Sequence, residues 1–262
     1  MGVVGRVESV WRYPVKSMGG EKLESAFVGF AGLYGDRIFA FHNSAAVAGF
    51  PFLTGREHAA MLPHRPRFRH RDKAISPPNL AAAQHLAPGV TPLYASLGDL
   101  AVDVETPAGP MLALESSELL ERLARFEGAG QLRLLKSERA LTDCRPLSLI
   151  STQTVDALGT EIGASLDGRR FRANVYLDLG VEAAHAEDTF IGKRIKIGPK
   201  AIFAVLERDP RCRMITLDPD DGHASPEILE CVAKRHQGRI GVYAAVLVEG
   251  TIRPDDEVLL LS

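Results

Sequence analysis

Near its C-terminal end the chain reads Glu207-Arg-Asp-Pro-Arg-Cys-Arg-Met-Ile-Thr-Leu-Asp-Pro-Asp-Asp-Gly222, which sets Cys212 between two arginines. Nearby positive charge stabilises a thiolate, the form of cysteine that attacks an electrophile or binds a metal. A structural cysteine prefers apolar company. Neighbours on a strand point to opposite faces, so both arginines can also face away from the sulfur. The flank therefore leaves open a reactive or ligating Cys212 and an inert one. Upstream, Tyr13-Pro-Val-Lys-Ser-Met-Gly-Gly20 ends a strand in a polar, Gly-rich turn. Lys16 and Ser17 there offer a phosphate a charge, a hydroxyl and free backbone N–H groups, although such turns are often only turns. Gly35-Asp-Arg37 and Thr54-Gly-Arg56 each set an arginine beside a turn, where a surface ion pair is the usual outcome. In Gly168-Arg-Arg-Phe-Arg-Ala-Asn174, a strand would put Arg170, Arg172 and Asn174 on one face. Two guanidiniums and an amide make a poor core and a good anion seat. Asp143-Cys-Arg-Pro146 reads as a turn.

These residues need elements to hold them. The first 110 residues read mostly as strands: Val3 to Val15, Arg37 to His42, Leu93 to Ala95 and Leu100 to Glu105, the last two flanking a hairpin-like Gly98-Asp99 turn. Ser76-Pro-Pro-Asn79 and Pro88-Gly89 mark a loop. Three helices are expected: Ser117 to Phe126, Ser151 to Ile162, and Ser225 to Gln237, the last bounded by Ser225, Pro226 and Gly238. Strands are expected at Asn174–Leu179, Arg194–Ile197, Ala201–Leu206, Arg213–Leu217, Gly241–Glu249 and Glu257–Leu261. Many strands and few, scattered helices predict a mainly β fold of the α+β class, with β-barrels decorated by helices rather than a doubly wound sheet. The polar stretch Lys136 to Asp143 marks a seam, giving an N-terminal β-barrel-like domain over 1–135 and a second barrel over 136–262.

The chain has 262 residues, 45% of them hydrophobic and 24% charged, as expected of a globular protein with a sizeable core. A net charge of -2 supplies no global field for nucleic acid or an anionic membrane. Residues 56–73 are locally basic, with six Lys/Arg against two acids, but hold one Phe. That is too few aromatics for a nucleic-acid stacking platform, and leaves a solvated edge or an anion-facing rim. Cys144, Cys212 and Cys231 are odd in number and widely spaced, which fits neither a disulfide framework nor a CxxC zinc site and suits a reducing compartment. Charged residues among the first 17 exclude a signal-peptide core, and no stretch approaches the roughly 20 apolar residues of a membrane span. The expectation is a cytoplasmic protein with no membrane and no nucleic-acid partner.

The order along the chain is more specific than any one motif. Tyr13-Pro-Val-Lys-Ser17, Gly35-Asp-Arg37, Thr54-Gly-Arg56, Arg170-Phe-Arg-Ala-Asn174, Glu187-Asp-Thr-Phe-Ile-Gly192, Arg211-Cys212 and Thr216-Leu-Asp-Pro219 together resemble the family that joins an N-terminal MOSC-type β-barrel to a MOSC domain. That domain is named for the C-terminal domain of molybdenum cofactor sulfurase. Within the family the chain is similar to the mitochondrial amidoxime-reducing component and to bacterial proteins that reduce N-hydroxylated compounds. The resemblance implies a molybdenum cofactor, with Cys212 as protein ligand to the metal. It implies that Lys16, Ser17, Arg37, Arg56, Arg172 and Asn174 line the pterin and its phosphate, and that Asp143 stands near pterin and metal as an orienter or proton relay. It further implies a small N-hydroxylated substrate and a separate electron-transfer protein of the ferredoxin, flavodoxin or cytochrome type.

There are departures. Ala173 replaces the family's usual proline, and Thr142-Asp-Cys-Arg-Pro146 replaces a Ser-Asp-x-Ser-Pro turn, so that Arg145 stands where a small residue is usual. The chain is expected to lack the iron–sulfur domain of some bacterial relatives and the membrane anchor of the mitochondrial ones. Three other readings stand beside the reductase: a carrier that hands the cofactor on, a sulfur carrier with a Cys212 persulfide made by a separate enzyme (no PLP-lysine signal is apparent here), and a binding module with an inert Cys212. Fold and function together predict that the Lys16, Arg37 and Arg56 turns face the Arg172 strand across one cleft, with Cys212 on the same side as Lys16.

Overall fold

A computed structural model of the chain describes residues 2–81, 94–107, 109–180 and 184–261. Along it run β1 (Gly2–Arg12), β2 (Glu21–Leu23), β3 (Ala26–Gly29), β4 (Gly32–Leu33), β5 (Phe39–Asn43), β6 (Arg65–Phe68), β7 (Val102–Glu105) and β8 (Met111–Ala113). There follow α1 (Ser117–Ala124), β9 (Leu132–Lys136), β10 (Leu147–Ser151), α2 (Thr152–Ile162), β11 (Val175–Asp178), β12 (Arg194–Ile197), β13 (Ala201–Pro210), α3 (Pro226–His236), β14 (Arg239–Val248), β15 (Gly250–Ile252) and β16 (Glu257–Leu261). The fold is mainly β, as expected.

Seven strands close a barrel in the order β11-β10-β14-β13-β12-β16-β1, with β1 returning to β11 and β2 attached to its outer edge. Neighbours are antiparallel except β10 and β11, whose parallel pairing requires a crossover; α2 lies within it. Alternation fills the interior. Ile195 and Ile197 on β12, Phe203 and Val205 on β13, and Val242 and Ala244 on β14 are buried in one cluster with Val7 of β1. Phe203 is 1% exposed there. Phe203→Ala is expected to cost about 3–5 kcal/mol, read as a fall in denaturation midpoint at unchanged slope.

β1 comes from the far end of the sequence, yet it pairs with both β11 and β16. It can do so because Gly5 leaves room: a Cβ there would lie 2.3 Å from the Asp178 carbonyl oxygen. The other strands of the first half form small sheets, β5-β9 and β6-β7-β8, and β15 reaches back to pair with β3. A second cluster, including Met18, Phe39, Phe41, Met61, Leu100 and Leu119, is their core. A third lies under α2 and α3, where Val155 and Leu158 meet Ile228 and Val232.

The structure departs from several expectations. Arg213–Leu217 is not a strand. β13 ends at Pro210, which has no N–H to continue the ladder, and Arg213–Thr216 is a 3-10 turn closed by the Thr216 hydroxyl on the Arg213 carbonyl. Residues 168–171 form another such turn, because Asp167 accepts the Arg169 N–H. The strand β11 begins only at Val175, so Arg170, Arg172 and Asn174 do not share a strand face. Residues 97–100 do turn, but Tyr94 and Ala95 are not in a strand and β7 pairs instead with β6 and β8. Leu93 and the Pro88-Gly89 loop lie outside the described residues. The first helix is capped by Ser116, whose hydroxyl accepts from the Leu119 N–H. Ser151 caps α2 as expected, through the Thr154 N–H, whereas Ser225 makes no side-chain cap and Pro226 alone starts α3. The basic edge is mostly paired: Arg65 with Asp220, Arg67 with Glu105, Arg69 with Asp103.

Candidate functional site

One cleft collects the motifs. Lys16, Ser17, Arg37, Arg56, Asp143, Arg172, Asn174 and Cys212 all line it, although they come from both halves of the chain. It is open-mouthed and encloses about 790 Å3, the mouth included. Lys16 and Ser17 enter on the turn after β1, Arg37 on the turn before β5, and Cys212 on the extended step between β13 and the 213–216 turn.

The backbone holds three of these residues in an unusual state. Ser17, Arg37 and Arg172 have φ of 69, 47 and 51 degrees, in the left-handed region that non-glycine residues rarely occupy. Such conformations cost free energy and persist where the surroundings over-determine them. At Arg37 and Arg172 the hydrogen bonds that do so are visible. The Arg37 N–H donates to the Tyr13 carbonyl at 2.6 Å, and its guanidinium donates to the Arg172 carbonyl at 2.9 Å. Asp36 is fully buried and accepts from the Tyr13 N–H at 2.8 Å and from Arg37 at 2.5 Å. The Tyr13 ring lies against both cations, 4.6 Å from the Arg37 guanidinium carbon and 4.3 Å from that of Arg172.

The electrostatics are lopsided. Seven cationic side chains line the cleft against two carboxylates, Asp143 and Asp209. Carboxylates behind the wall neutralise some: Asp36 holds Arg37, Asp218 holds Arg170, and Glu207 holds Arg145. Arg172 has no salt-bridge partner among the described residues, and its Nη2 is buried without a hydrogen-bond partner there. Burial, and then the Arg37 charge, push its pKa down to about 10. Lys16 is 6% exposed, and burial lowers its pKa against the pull of Asp143. Its ammonium donates to the Leu141 carbonyl at 2.7 Å and to the Asp143 carboxylate, which also stands 3.8 Å from Arg56. The exposed Asp143 thus answers two cations at once.

The arginines beside Cys212 are engaged elsewhere, one of the two outcomes the sequence left open. Arg211 donates to the Ile240 and Phe171 carbonyls and pairs with Asp209, and Arg213 donates to the Arg56 carbonyl. They hold the Cys212 step in place. Cys212 is a free, half-buried thiol on the cleft wall. Asn174 has a structural task as well. Its amide oxygen faces the Ser148 N–H at 3.4 Å and its Nδ2 donates to the Trp11 carbonyl at 3.3 Å, tying β10 to β1.

Sequence reasoning passed over Tyr13, Asp36 and Asp209. Asp209 lies on the cleft wall three residues before Cys212, accepts from the Ser148 hydroxyl at 2.7 Å, and has its pKa raised by burial. The only sequence signal was adjacency: an Asp beside the arginine of Gly35-Asp-Arg37 and near that of Asp209-Pro-Arg211.

Two family models match the chain. Residues 4–82 match the MOSC N-terminal beta barrel domain and residues 136–259 the MOSC domain. The chain is similar to molybdenum cofactor sulfurase of Drosophila mojavensis, 28% identical over 155 residues, which cover 58% of this chain and 19% of that protein. It is 30% identical over 132 residues to molybdenum cofactor sulfurase of Drosophila ananassae, covering 50% of this chain and 16% of that protein. The matches therefore span less than a fifth of these relatives' own length. Among solved structures, the YUAD protein from Bacillus subtilis is similar at 12% identity, covering 97% of this chain and 93% of that chain, with a TM-score of 0.47. YiiM from Geobacillus stearothermophilus is similar over 45% of this chain and 55% of its own, at 17% identity and a TM-score of 0.35. Among the described residues no helix is long and apolar enough to cross a membrane. With the two domains accounting for most of its length, the chain belongs to the MOSC-domain family, in the arrangement that sets an N-terminal beta barrel domain before the MOSC domain.

Proposed function

We propose that the cleft holds a molybdenum cofactor and that the protein reduces N-hydroxylated compounds with electrons from a separate carrier protein. The observation that carries this reading is the pairing of a buried, unpartnered Arg172 guanidinium atom with an accessible Cys212 thiol on the walls of one cation-rich cleft. A buried cation without a counter-charge is costly unless a ligand supplies one, and the pterin phosphate is such a ligand. A soft thiolate donor fits the metal. The family and the name of its relatives point to the same group.

When bound, the cofactor supplies two-electron abstraction of oxygen from an N–OH group, leaving an amine or amidine and water. The chain's residues do the rest. Arg172, Arg37 and Arg56, with Lys16 and Ser17, would bind the phosphate and pterin through charge-assisted hydrogen bonds and backbone N–H groups. Tyr13 and Asp36 keep Arg37 and Arg172 aimed into the cleft. Cys212 would give up its proton and ligate the metal. Asp143, which accepts from Lys16, would orient the bound group or relay a proton to it. Asp143→Asn is expected to leave cofactor content unchanged and lower turnover roughly ten- to a hundredfold, measured per bound molybdenum.

The relatives' name supports a second reading, in which the chain carries the cofactor or a Cys212 persulfide rather than turning over substrate. Loaded protein, an N-hydroxylated amidine and an artificial electron donor separate the two. Stoichiometric amidine formation over many turnovers is the result expected. Bound cofactor with no turnover across a panel of N-hydroxylated substrates contradicts the reductase and favours the carrier.

A further inference from the structure

Away from the cleft, α2, α3 and the segment after residue 184 bring together Glu161, His185, Cys231 and His236. One ligand atom from each of Glu161, His185 and His236 lies within 4.8 Å of the other two. His236 Nε2 stands 2.8 Å from Glu161 Oε2, and Cys231 Sγ reaches the same oxygen at 3.3 Å. The His185 and His236 rings are 4.6 Å apart. All four residues are half-buried.

A hydrogen-bonded clamp between the two helices would explain Glu161, His236 and Cys231. It does not explain His185, whose Nδ1 is buried without a hydrogen-bond partner among the described residues. Buried polar atoms are rarely left so, and an ion is one ordinary reason for an exception. The donor set is two imidazoles, a carboxylate and a thiol. Imidazole and thiolate together favour a borderline-soft divalent ion over magnesium or calcium, and four such donors suit tetrahedral zinc. We propose that Glu161, His185 and His236 form a structural Zn2+ site, with Cys231, which lies beside Glu161 but outside that 4.8 Å group, turning in as the fourth ligand, and that the ion pins α2, α3 and the 184–190 segment to one another.

Local electrostatics agree with the geometry. Arg235, 3.9 Å from Glu161, is exposed and free to swing into solvent. Neighbouring Asp188 is held by Arg208 at 3.0 Å and is not needed as a ligand.

The test uses the full chain carrying Cys212→Ser, so that the thiol of the cleft contributes nothing, after removal of metals by chelation. Titration with Zn2+ should show one equivalent bound at micromolar Kd or tighter, with a rise in melting temperature. His185→Gln and His236→Gln should each weaken binding at least tenfold while far-ultraviolet circular dichroism stays unchanged. If His236→Gln does not fold, His185→Gln alone carries the comparison, since that residue lies outside both helices. Co2+ in place of Zn2+ should give tetrahedral visible bands and a thiolate charge-transfer band that Cys231→Ser removes. Absence of stoichiometric Zn2+, equal binding by His185→Gln, or a Co2+ spectrum indifferent to Cys231→Ser would each overturn the four-ligand site.

Discussion

Cys212→Ser is expected to abolish reduction of N-hydroxylated substrates while leaving the fold and its melting temperature essentially intact. The hydroxyl is nearly isosteric with the thiol, and Cys212 is half-buried on the cleft wall with no disulfide to lose. Its position is fixed by its neighbours, since Arg211 and Arg213 bond to backbone carbonyls whatever stands between them. The loss is therefore of ligand chemistry. An alcohol is a far poorer donor to a soft metal than a thiolate. Pterin retention through the phosphate is expected to survive in part. Cys231→Ser, remote from the cleft, should retain activity. Equal turnover by wild type and Cys212→Ser at equal cofactor content would remove the ligand role.

Arg172→Ala is expected to reduce cofactor retention strongly, because it removes a charge-assisted contact worth a few kcal/mol at most. Arg172→Lys should restore only part, lacking the planar fork that bonds two oxygens at once. The same residue should behave oppositely in the ligand-free chain. Its folded-state pKa, about 10, lies below the ordinary arginine value. Folding therefore disfavours its charged form by a constant amount below about pH 10, and that penalty is relieved only as pH climbs from about 10 towards the ordinary arginine value. Arg172→Met, which keeps bulk against Tyr13 and drops the charge, should melt higher than wild type when ligand-free and hold less cofactor. Unchanged pterin content in Arg172→Ala, or a lower ligand-free melting temperature for Arg172→Met, would contradict this account of the cleft.

The parts legible in the sequence were those set by local pattern. β12 falls at its expected limits because Arg-Ile-Lys-Ile alternates between two turns, and β16 because its apolar run starts just after the 254–255 turn. The helix after Ser151 begins where its cap says it should. Long-range pairing left no such mark. Nothing in Gly2–Arg12 announces that it completes a barrel built from residues 147–261, apart from a glycine whose purpose appears only when Asp178 lies against it. The site shows the same split. The charged residues could be collected one by one from their motifs. The left-handed backbone at Ser17, Arg37 and Arg172 was hidden, because glycine is the residue that usually signals it and none stands there. Asp36 and Tyr13 were hidden because their work is done toward other residues of the wall. The strand expected at Arg213 failed for a related reason: β-branched and apolar residues there pack under α3, not in a ladder.

The most direct test is the metal and pterin content of the full chain purified from a host that makes molybdenum cofactor, compared with Cys212→Ser and Arg172→Ala prepared alongside. The cleft described here predicts near-stoichiometric molybdenum and pterin in the wild type, little molybdenum in Cys212→Ser, and depleted pterin in Arg172→Ala. Wild-type protein that carries neither molybdenum nor pterin, or carries both equally in all three forms, would contradict it.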